Sequence, residues 1–259
     1  MPFRQAGTIR FFVFESLLDA ALVQAIFTRQ GGLSPDPWAS LNVGGTVGDD
    51  QSRVGSNIER CFKAVERDPA TSHDVWQSHS STVVFAYSPR GEQDRVRADI
   101  LVSDTPEVTL FMRFADCVPI FLFDPVRRVV GLAHAGWLGT VRKAAAIAVK
   151  AMQDRYGSQP KDIRAGIGPS ICREHYPVGP EVVEQVRQTF GHAADEHLRR
   201  ENGATHFDLW SANKGLLQAA GLESIEECGI CTASHPEDWY SHRADRGQTG
   251  RFGALIALA

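Results

Sequence analysis

The chain has 259 residues, of which 43% are apolar, and a formal net charge of -4 with no long basic or acidic block. This composition predicts a globular protein with a sizeable core, and it argues against nucleic acid or another polyanion as the main partner. We see neither an apolar run of membrane-spanning length nor a signal peptide, so we expect no membrane association.

The five cysteines favour a reducing environment. Their number is odd and they are widely spaced, unlike the framework of a small secreted protein. We therefore expect free thiols and a cytoplasmic location. The sequence does not specify the oligomeric state, and a monomer or a small homo-oligomer are both compatible with it.

Hydrophobic periodicity predicts a mixture of strands and helices in chain order. Strands are predicted at residues 9–14, 23–28, 75–87, 98–102, 108–114, 120–123, 129–133, 163–167, 225–231 and 252–258. Helices are predicted at about 50–66, 137–156, 180–190 and 208–220. The pattern has no internal repeat, no linker and no regular strand–helix alternation. It indicates one α/β (α+β) domain over residues 1–259, with mixed β-sheets and peripheral helices.

A predicted hairpin carries the clearest chemical signal. Its strands, 120–123 and 129–133, are joined by a turn at Asp124-Pro125, with Cys117 just before the first and His134 just after the second. Antiparallel pairing would make Cys117 and His134 neighbours. They could be a buried apolar cysteine and a satisfied core histidine, half of a zinc site, or a thiol catalytic pair.

His79 is the natural third member of this group, because it lies in a polar break, 77–81, within a predicted strand. Two histidines and one cysteine give zinc three protein ligands and leave the fourth position open to water. Zinc would hold the thiolate deprotonated and lower the pKa of that water to about 7.

Weaker signals follow along the chain. Cys228 and Cys231 form a Cys-x-x-Cys that, with His235, could be a second metal site or a redox pair. A structural role is the better interpretation, with Cys231 a candidate for lining the main site. The segment 166–170 could offer backbone N–H groups to an anion, or could simply be a tight turn. Arg243 and Arg251 could bind phosphate, or could only be solvated surface residues.

Several motifs together resemble one family. They are Gln77-x-His79, Ala115-Asp116-Cys117-x-Pro119, His134-Ala135-Gly136-Trp137-x-Gly139, Gly168-Pro169-Ser170-Ile171, Cys231-Thr232 and Thr249-Gly250-Arg251. From about Thr28 to its end, the chain resembles the polyphenol oxidoreductase laccase-like family, whose members are also described as purine nucleoside phosphorylases. The resemblance implies a single unit with mixed sheets related to putative cysteine hydrolases. It also implies a zinc site at His79, Cys117 and His134.

The activity implied by the resemblance is phosphorolysis of adenosine, inosine and methylthioadenosine, with some adenosine deamination. Bacterial relatives are also linked to the editing of peptidoglycan precursors. Four positions depart from the family pattern: Ser78 replaces a usual valine, Ser80 a glycine, Leu138 an arginine and His242 a tyrosine. The three predicted metal ligands are retained, so these departures concern substrate preference.

The laccase name conflicts with the histidine content. Multicopper oxidases bind several coppers through many histidines, often paired as His-x-His, whereas this chain has nine histidines and no such pair. One cysteine and two histidines could hold a single copper ion. We therefore expect any polyphenol oxidation to be weak and to reflect copper in the zinc site in vitro.

Three functional hypotheses follow. The first is a zinc-dependent purine nucleoside enzyme with His79, Cys117 and His134 as catalytic and metal-binding residues. In it Arg243 or Arg251 and the loop containing Ser170 bind phosphate, and Asn42 contacts the sugar or base. The second is a metal-free thiol hydrolase or amidase acting on a peptidoglycan precursor, with Cys117 as nucleophile and His134 as base. The third is a non-enzymatic metal-binding or small-molecule-binding protein.

Overall fold

The computed structural model describes residues 2–259 and contains six α-helices and fifteen strands within that range. The helices are α1 Gln51–Ala64, α2 Trp137–Val141, α3 Ala144–Tyr156, α4 Pro180–Phe190, α5 Ala194–His197 and α6 Leu209–Ala219. The strands are β1 Phe3–Ala6, β2 Ile9–Phe12, β3 Leu22–Phe27, β4 Ser72–His73, β5 Val83–Phe85, β6 Ile100–Ser103, β7 Thr109–Phe114, β8 Val118–Asp124, β9 Val129–Ala135, β10 Arg164–Ile167, β11 Pro177–Val178, β12 Leu198–Glu201, β13 Ala204–Phe207, β14 Ser224–Glu227 and β15 Phe252–Leu258.

The strands form two six-stranded sheets and one small sheet. The first sheet has the order β1-β2-β3-β15-β7-β4, the second β14-β10-β8-β9-β6-β5 and the third β11-β13-β12. Most pairings are antiparallel, and the parallel ones are β4 with β7, β5 with β6 and β10 with β14. The predicted fold class, α/β (α+β) with mixed sheets and peripheral helices, is confirmed.

The two large sheets pack face to face, and helices cover their outer faces. Side-chain alternation along β8 shows how the sequence specifies this: Phe121 points into the apolar layer between the sheets, while Leu122 points into the layer beneath α3. On the other side, Phe62 of α1 packs against Phe111 of β7. Strands buried on both faces need near-continuous apolar sequence, and β8 and β9 have it.

Strands β8 and β9 form the predicted antiparallel hairpin. Val118 pairs with Ala135 and Pro119 with His134, so Cys117 lies beside the end of β9. Helix α1 also begins as predicted, because the Asp50 side chain accepts hydrogen bonds from the backbone N–H groups of Ser52 and Arg53.

Four predicted elements differ from those observed. The helix 137–156 is interrupted at Lys143, whose φ of 60° is left-handed, giving α2 and α3. The strand 75–87 is reduced to β5, because the carboxylate of Asp99 binds backbone N–H groups in the intervening polar segment. The strand 225–231 ends at Glu227, and the opening strand 9–14 ends at Phe12. In the described part of the chain, no helix is both long and apolar enough to cross a membrane.

Candidate active site

His79, Cys117 and His134 meet at one end of the hairpin. Each offers one ligand atom, and these atoms all lie within 4.8 Å of one another. The Sγ of Cys117 is 3.8 Å from Nε2 of His79, and the two imidazole centroids are 5.0 Å apart. His134 is buried and His79 is exposed, so the cluster reaches from the sheet interior to the surface. The predicted proximity of Cys117 and His134 is observed, and His79 joins them as expected.

Asp99, directly before β6, organises the cluster. Its fully buried carboxylate accepts a hydrogen bond from Nδ1 of His134 at 2.8 Å and from the backbone N–H groups of His79 and Ser80 at 3.1 and 2.6 Å. Burial raises the pKa of Asp99, but its hydrogen bonds and the charge of His134 outweigh burial and hold the pKa well below its usual range. An ionised Asp99 therefore fixes the His134 ring with Nε2 directed at the cluster.

Cys117 and His134 have strongly shifted pKa values in the metal-free protein. Burial raises the pKa of the Cys117 thiol, but the charge of His134 and hydrogen bonds from both imidazoles outweigh burial and lower the pKa to about 6. Burial lowers the pKa of His134, but the Cys117 thiolate and the hydrogen bond to Asp99 raise the pKa to about 9. The metal-free pair is therefore a thiolate and an imidazolium between about pH 6 and pH 9.

The backbone around the cluster adopts uncommon conformations. His79 has a φ of 57° and Asp116 a φ of 80°, both in the left-handed region that non-glycine residues seldom occupy. The carbonyl of His79 accepts a hydrogen bond from Arg142, which helps hold its loop. A Cβ at Gly136 would lie 2.7 Å from Sγ of Cys117 and 3.2 Å from Cδ2 of His79, so only glycine leaves this space free.

The cluster lies in a cavity of about 860 Å³. Aromatic side chains of Trp76, Trp137 and Tyr176 contribute to its walls. Four arginines also line it: Arg95, Arg113, Arg243 and Arg251. The cavity is large enough for a nucleoside-sized molecule.

The four arginines differ in their partners. Arg95 and Arg113 form ion pairs with the carboxylate of Asp74 at 2.8 and 2.9 Å. Arg243 donates to the carbonyl of Pro177 and stacks on Tyr176, while Arg251 donates to two backbone carbonyls. Among residues 2–259, no carboxylate forms an ion pair with either Arg243 or Arg251. Their positive charges remain available to an anion in the cavity.

Asn42 and Ser170, two predicted substrate contacts, lie behind the cavity wall. Asn42 is fully buried, and its Oδ1 accepts from the backbone N–H groups of Gly44 and Arg251. Ser170 is also fully buried, and its Oγ accepts from Nε1 of Trp210 at 2.6 Å. Internal hydrogen bonds use these side chains, which corrects the expectation that they contact a substrate. Asn42 instead positions the backbone of Arg251.

The predicted anion cradle at 168–170 also needs correction. The N–H of Gly168 donates to Pro119 O, the N–H of Ser170 donates to Ile230 O, and Pro169 has no N–H. The segment is a bend whose N–H groups bond β8 and the chain after β14, and Ser170 forms an isolated bridge with Cys231. Its backbone donors are not available to phosphate.

The Cys228-x-x-Cys231 motif does not act as a unit. Cys228 packs against the apolar layer between the sheets, and Nδ1 of His235 bonds the backbone carbonyl of Cys231. Cys231 is buried beside Cys172 and His175 and is absent from the lining of the cavity. The suggestion that Cys231 lines the main site is therefore wrong, and the cysteine that it meets lies 59 residues away in sequence.

Burial raises the pKa of Cys172 to about 12. Burial also acts to raise the pKa of Cys231, but hydrogen bonds from Ser234, Cys172 and His175 outweigh it and lower the pKa to about 7. The two thiols therefore differ in ionisation although they share one cluster.

Sequence reasoning missed Asp99, Asp116 and Tyr176. Asp99 is a carboxylate at the start of the otherwise apolar run 98–102, and a charged residue at such a position is a detectable signal. The carboxylate of Asp116 accepts from Thr232 Oγ1 and from the N–H of Arg243, at 2.7 Å in each case. Tyr176 follows a short 3-10 helix, Arg173–His175, and we find no signal in the sequence that would identify it.

The donor set suits a transition metal ion. The sulfur and nitrogen ligands of one tetrahedral zinc ion, at bond lengths of about 2.3 and 2.0 Å, lie roughly 3.5 Å apart, and the observed separation for Cys117 and His79 is 3.8 Å. Metal-bound histidines usually donate their other ring N–H to a carboxylate or carbonyl, as His134 does to Asp99. Three donors and a cavity on the open side fit a catalytic type of site.

Comparison with known proteins places this geometry in a family. Residues 23–259 match the family model described as multi-copper polyphenol oxidoreductase laccase. A Deinococcus radiodurans protein named purine nucleoside phosphorylase is 38% identical over 238 residues, which are 92% of this chain and 90% of that relative. A Bacillus subtilis protein, purine nucleoside phosphorylase YlmD, is 35% identical over 246 residues, which are 92% of this chain and 88% of that relative.

A solved structure agrees with these matches. The crystal structure of YlmD from Geobacillus stearothermophilus superposes with a TM-score of 0.92 at 34% identity, covering 99% of this chain and 98% of that one. The shared fold extends over the whole hairpin and cavity region. The chain therefore belongs to the multi-copper polyphenol oxidoreductase laccase family, as its motifs predicted.

Proposed function

We propose that this protein is a zinc-dependent purine nucleoside phosphorylase that acts on adenosine, inosine and methylthioadenosine and also deaminates adenosine. The observation that carries the proposal is the position of the His79–Cys117–His134 donor cluster in a cavity that also contains two arginines without carboxylate partners. The relatives named purine nucleoside phosphorylase support the phosphorolysis part of this proposal. We further propose that residues 1–259 act as one cytoplasmic domain, as a monomer or a small homo-oligomer.

The aromatic side chains of the cavity fit the purine ring. Trp137 and Tyr176 line the cavity along with the cluster, and Trp76 is exposed near its opening. Stacking between aromatic rings contributes about 0.5–1.5 kcal/mol beyond the burial of area. Burial raises the pKa of Tyr176, so its hydroxyl keeps its proton and can donate a hydrogen bond to a substrate.

Arg251 and Arg243 are the proposed phosphate ligands. Phosphorolysis needs an anion held near the anomeric carbon of the ribose as positive charge develops on the sugar. Asn42 and Asp116 hold the backbone N–H groups of Arg251 and Arg243, respectively, which fixes where both side chains originate. Arginine suits this role because its fork of donors matches phosphate oxygens.

Within the cluster, the residues of this chain prepare the donors. Asp99 holds one proton of His134 on Nδ1, so Nε2 is the nitrogen that would bind a metal ion once its own proton has left, and the lowered pKa of Cys117 favours the thiolate. A zinc ion bound to these donors would supply Lewis-acid polarisation of an oxygen. Three donors suit one metal ion and not a three-copper cluster, so we propose that any copper-dependent oxidation of polyphenols is weak.

The second candidate is the thiol hydrolase or amidase acting on a peptidoglycan precursor. The low pKa of Cys117 beside His134 favours it, because a thiolate–imidazolium pair is the usual nucleophile of thiol enzymes. His79 favours the zinc enzyme instead, since a thiol nucleophile needs no third soft donor.

Chromatography of adenosine incubated with the zinc-loaded protein, with and without phosphate, tests the proposal. We expect adenine only when phosphate is present, and inosine in both incubations. Unchanged adenosine in both would contradict the nucleoside activity. The second candidate would be supported if the metal-free protein hydrolysed an amide substrate and alkylation of Cys117 abolished this hydrolysis.

A further inference from the structure

A second thiol–imidazole cluster lies outside the cavity. Nδ1 of His175 is 3.3 Å from Sγ of Cys172 and 3.5 Å from Sγ of Cys231, and the three ligand atoms lie within 4.8 Å of one another. Both cysteines are buried and His175 is exposed. The Oγ of Ser234 is 3.2 Å from the same Nδ1, which places an oxygen at the open side of the cluster.

The cluster joins two segments that are remote in sequence. Cys172 and His175 belong to the connection between β10 and α4, and Cys231 follows β14. An isolated bridge between Ser170 and Cys231 is the nearest regular pairing of these segments. The N–H of Cys172 also donates to Sγ of Cys231 at 3.3 Å, so the sulfur of Cys231 faces the other segment.

The donors have the composition of a zinc site. Two thiols and one imidazole are soft and borderline ligands, which select zinc over calcium or magnesium. The nitrogen near both sulfurs is Nδ1, so one ring nitrogen of His175 lies within reach of an ion held by both thiols. The nearby Ser234 hydroxyl or a water could complete four-coordination.

We propose that Cys172, His175 and Cys231 bind a second zinc-class divalent cation, which clamps the two segments together. Hydrogen bonds connect the clamp to residues beside the proposed active site. The N–H of Ile171 donates to the carbonyl of Asp116 at 3.0 Å, and Thr232 donates to the carboxylate of the same residue at 2.7 Å. Asp116 directly precedes Cys117, and Tyr176 directly follows His175, so the clamp steadies both the floor and one wall of the cavity.

Measurement of bound metal tests this proposal without reference to turnover. The purified, reduced chain is reconstituted with zinc, dialysed free of loose metal, and analysed by mass spectrometry for zinc per chain. We expect two equivalents in the wild type and one in both His175→Ala and Cys172→Ser. The double variant Cys117→Ser/Cys172→Ser should retain none. Cys228→Ser is the matched control, because Cys228 lies three residues from Cys231 in sequence but is not part of the cluster. This variant should retain two equivalents.

His175→Ala guards against a folding artefact, because its exposed side chain is removed without disturbing the core. A wild-type content of one equivalent that Cys117→Ser removes and His175→Ala leaves unchanged would overturn the proposal. Detection of a Cys172–Cys231 disulfide in the zinc-reconstituted reduced protein would overturn it as well. Failure of phosphorolysis with two zinc equivalents present would affect only the proposed function.

Discussion

The molecule contains two clusters built from the same ligand types, and their surroundings differ. The His79–Cys117–His134 cluster lies in the cavity, is supported by the buried carboxylate of Asp99, and has two unpaired arginines nearby. The Cys172–His175–Cys231 cluster lies outside that cavity, and the carboxylate that reaches it, exposed Glu174, hydrogen-bonds the thiol of Cys172. Proximity of ligands alone therefore does not distinguish a catalytic site from a clamp. Access for a substrate, and a buried carboxylate that holds a ligand imidazole in place, do distinguish them.

The substitution with the largest expected effect, His79→Ala, distinguishes the zinc-enzyme hypothesis from the thiol-hydrolase hypothesis. His79→Ala removes one of three donors of the cavity cluster, so we expect loss of one zinc equivalent per chain. Phosphorolysis should fall by more than the roughly 10–100-fold that loss of a supporting partner causes. Metal analysis and adenosine turnover measure both effects. The exposed His192→Ala is the control, and retained turnover in metal-free His79→Ala would favour the thiol hydrolase.

Removal of the Asp99 carboxylate that holds His134 should have the next largest effect. Asp99→Asn keeps the size of the side chain but replaces the ionised acceptor of His134, so the ring loses its fixed tautomer. We expect zinc affinity of the cavity cluster to fall roughly 10–100-fold, while the second cluster keeps its ion. Competition with a chelator gives both affinities. Asp104→Asn, at the exposed end of β6, is the control, and an unchanged affinity in Asp99→Asn would contradict the role of Asp99.

The unpaired arginines give a smaller effect. Arg251→Leu should raise the KM for phosphate by about tenfold or more, because a hydrogen bond to a charged group contributes about 1.5–3 kcal/mol. The KM for adenosine and the zinc content should change little. Steady-state kinetics with varied phosphate measure this, with Arg246→Leu, an exposed arginine of the same loop region, as the control. Equal increases in the KM of both substrates would point to a general disturbance of the cavity.

The smallest effect concerns the metal-free protein. Because the pKa of Cys117 is lowered to about 6, its rate of alkylation should be half-maximal near pH 6 and should level off by about pH 8. At pH 7 the gain over an ordinary thiol is only roughly three- to sixfold, since a less basic thiolate is also a weaker nucleophile. Mass spectrometry of iodoacetamide-treated protein follows the reaction. In His134→Gln the midpoint should move upward, and a wild-type midpoint near 9 would contradict the ion pair.

Local pattern determined the features that depend on neighbours in sequence. The apolar runs 120–123 and 129–133 with the turn at Asp124-Pro125 specified the hairpin, and the pairing geometry of antiparallel strands then made Cys117 and His134 neighbours. The polar break around His79 was also visible, because a run of polar residues inside an apolar pattern interrupts a strand. The family motifs surround these same positions.

Only the tertiary structure decided which distant residues complete each cluster. Cys231 has Cys228 near in sequence, yet β10 and β14 lie side by side in the sheet and bring it to Cys172. Asn42 and Ser170 are polar residues in predicted loops, and the sequence suggested that they contact a substrate. In the fold both are fully buried, so they hold neighbouring parts of the protein in place instead. Sequence spacing determines which side chains lie on the same face or end of one helix or strand. Which elements meet, and which polar groups are already satisfied, depends on packing across the whole core.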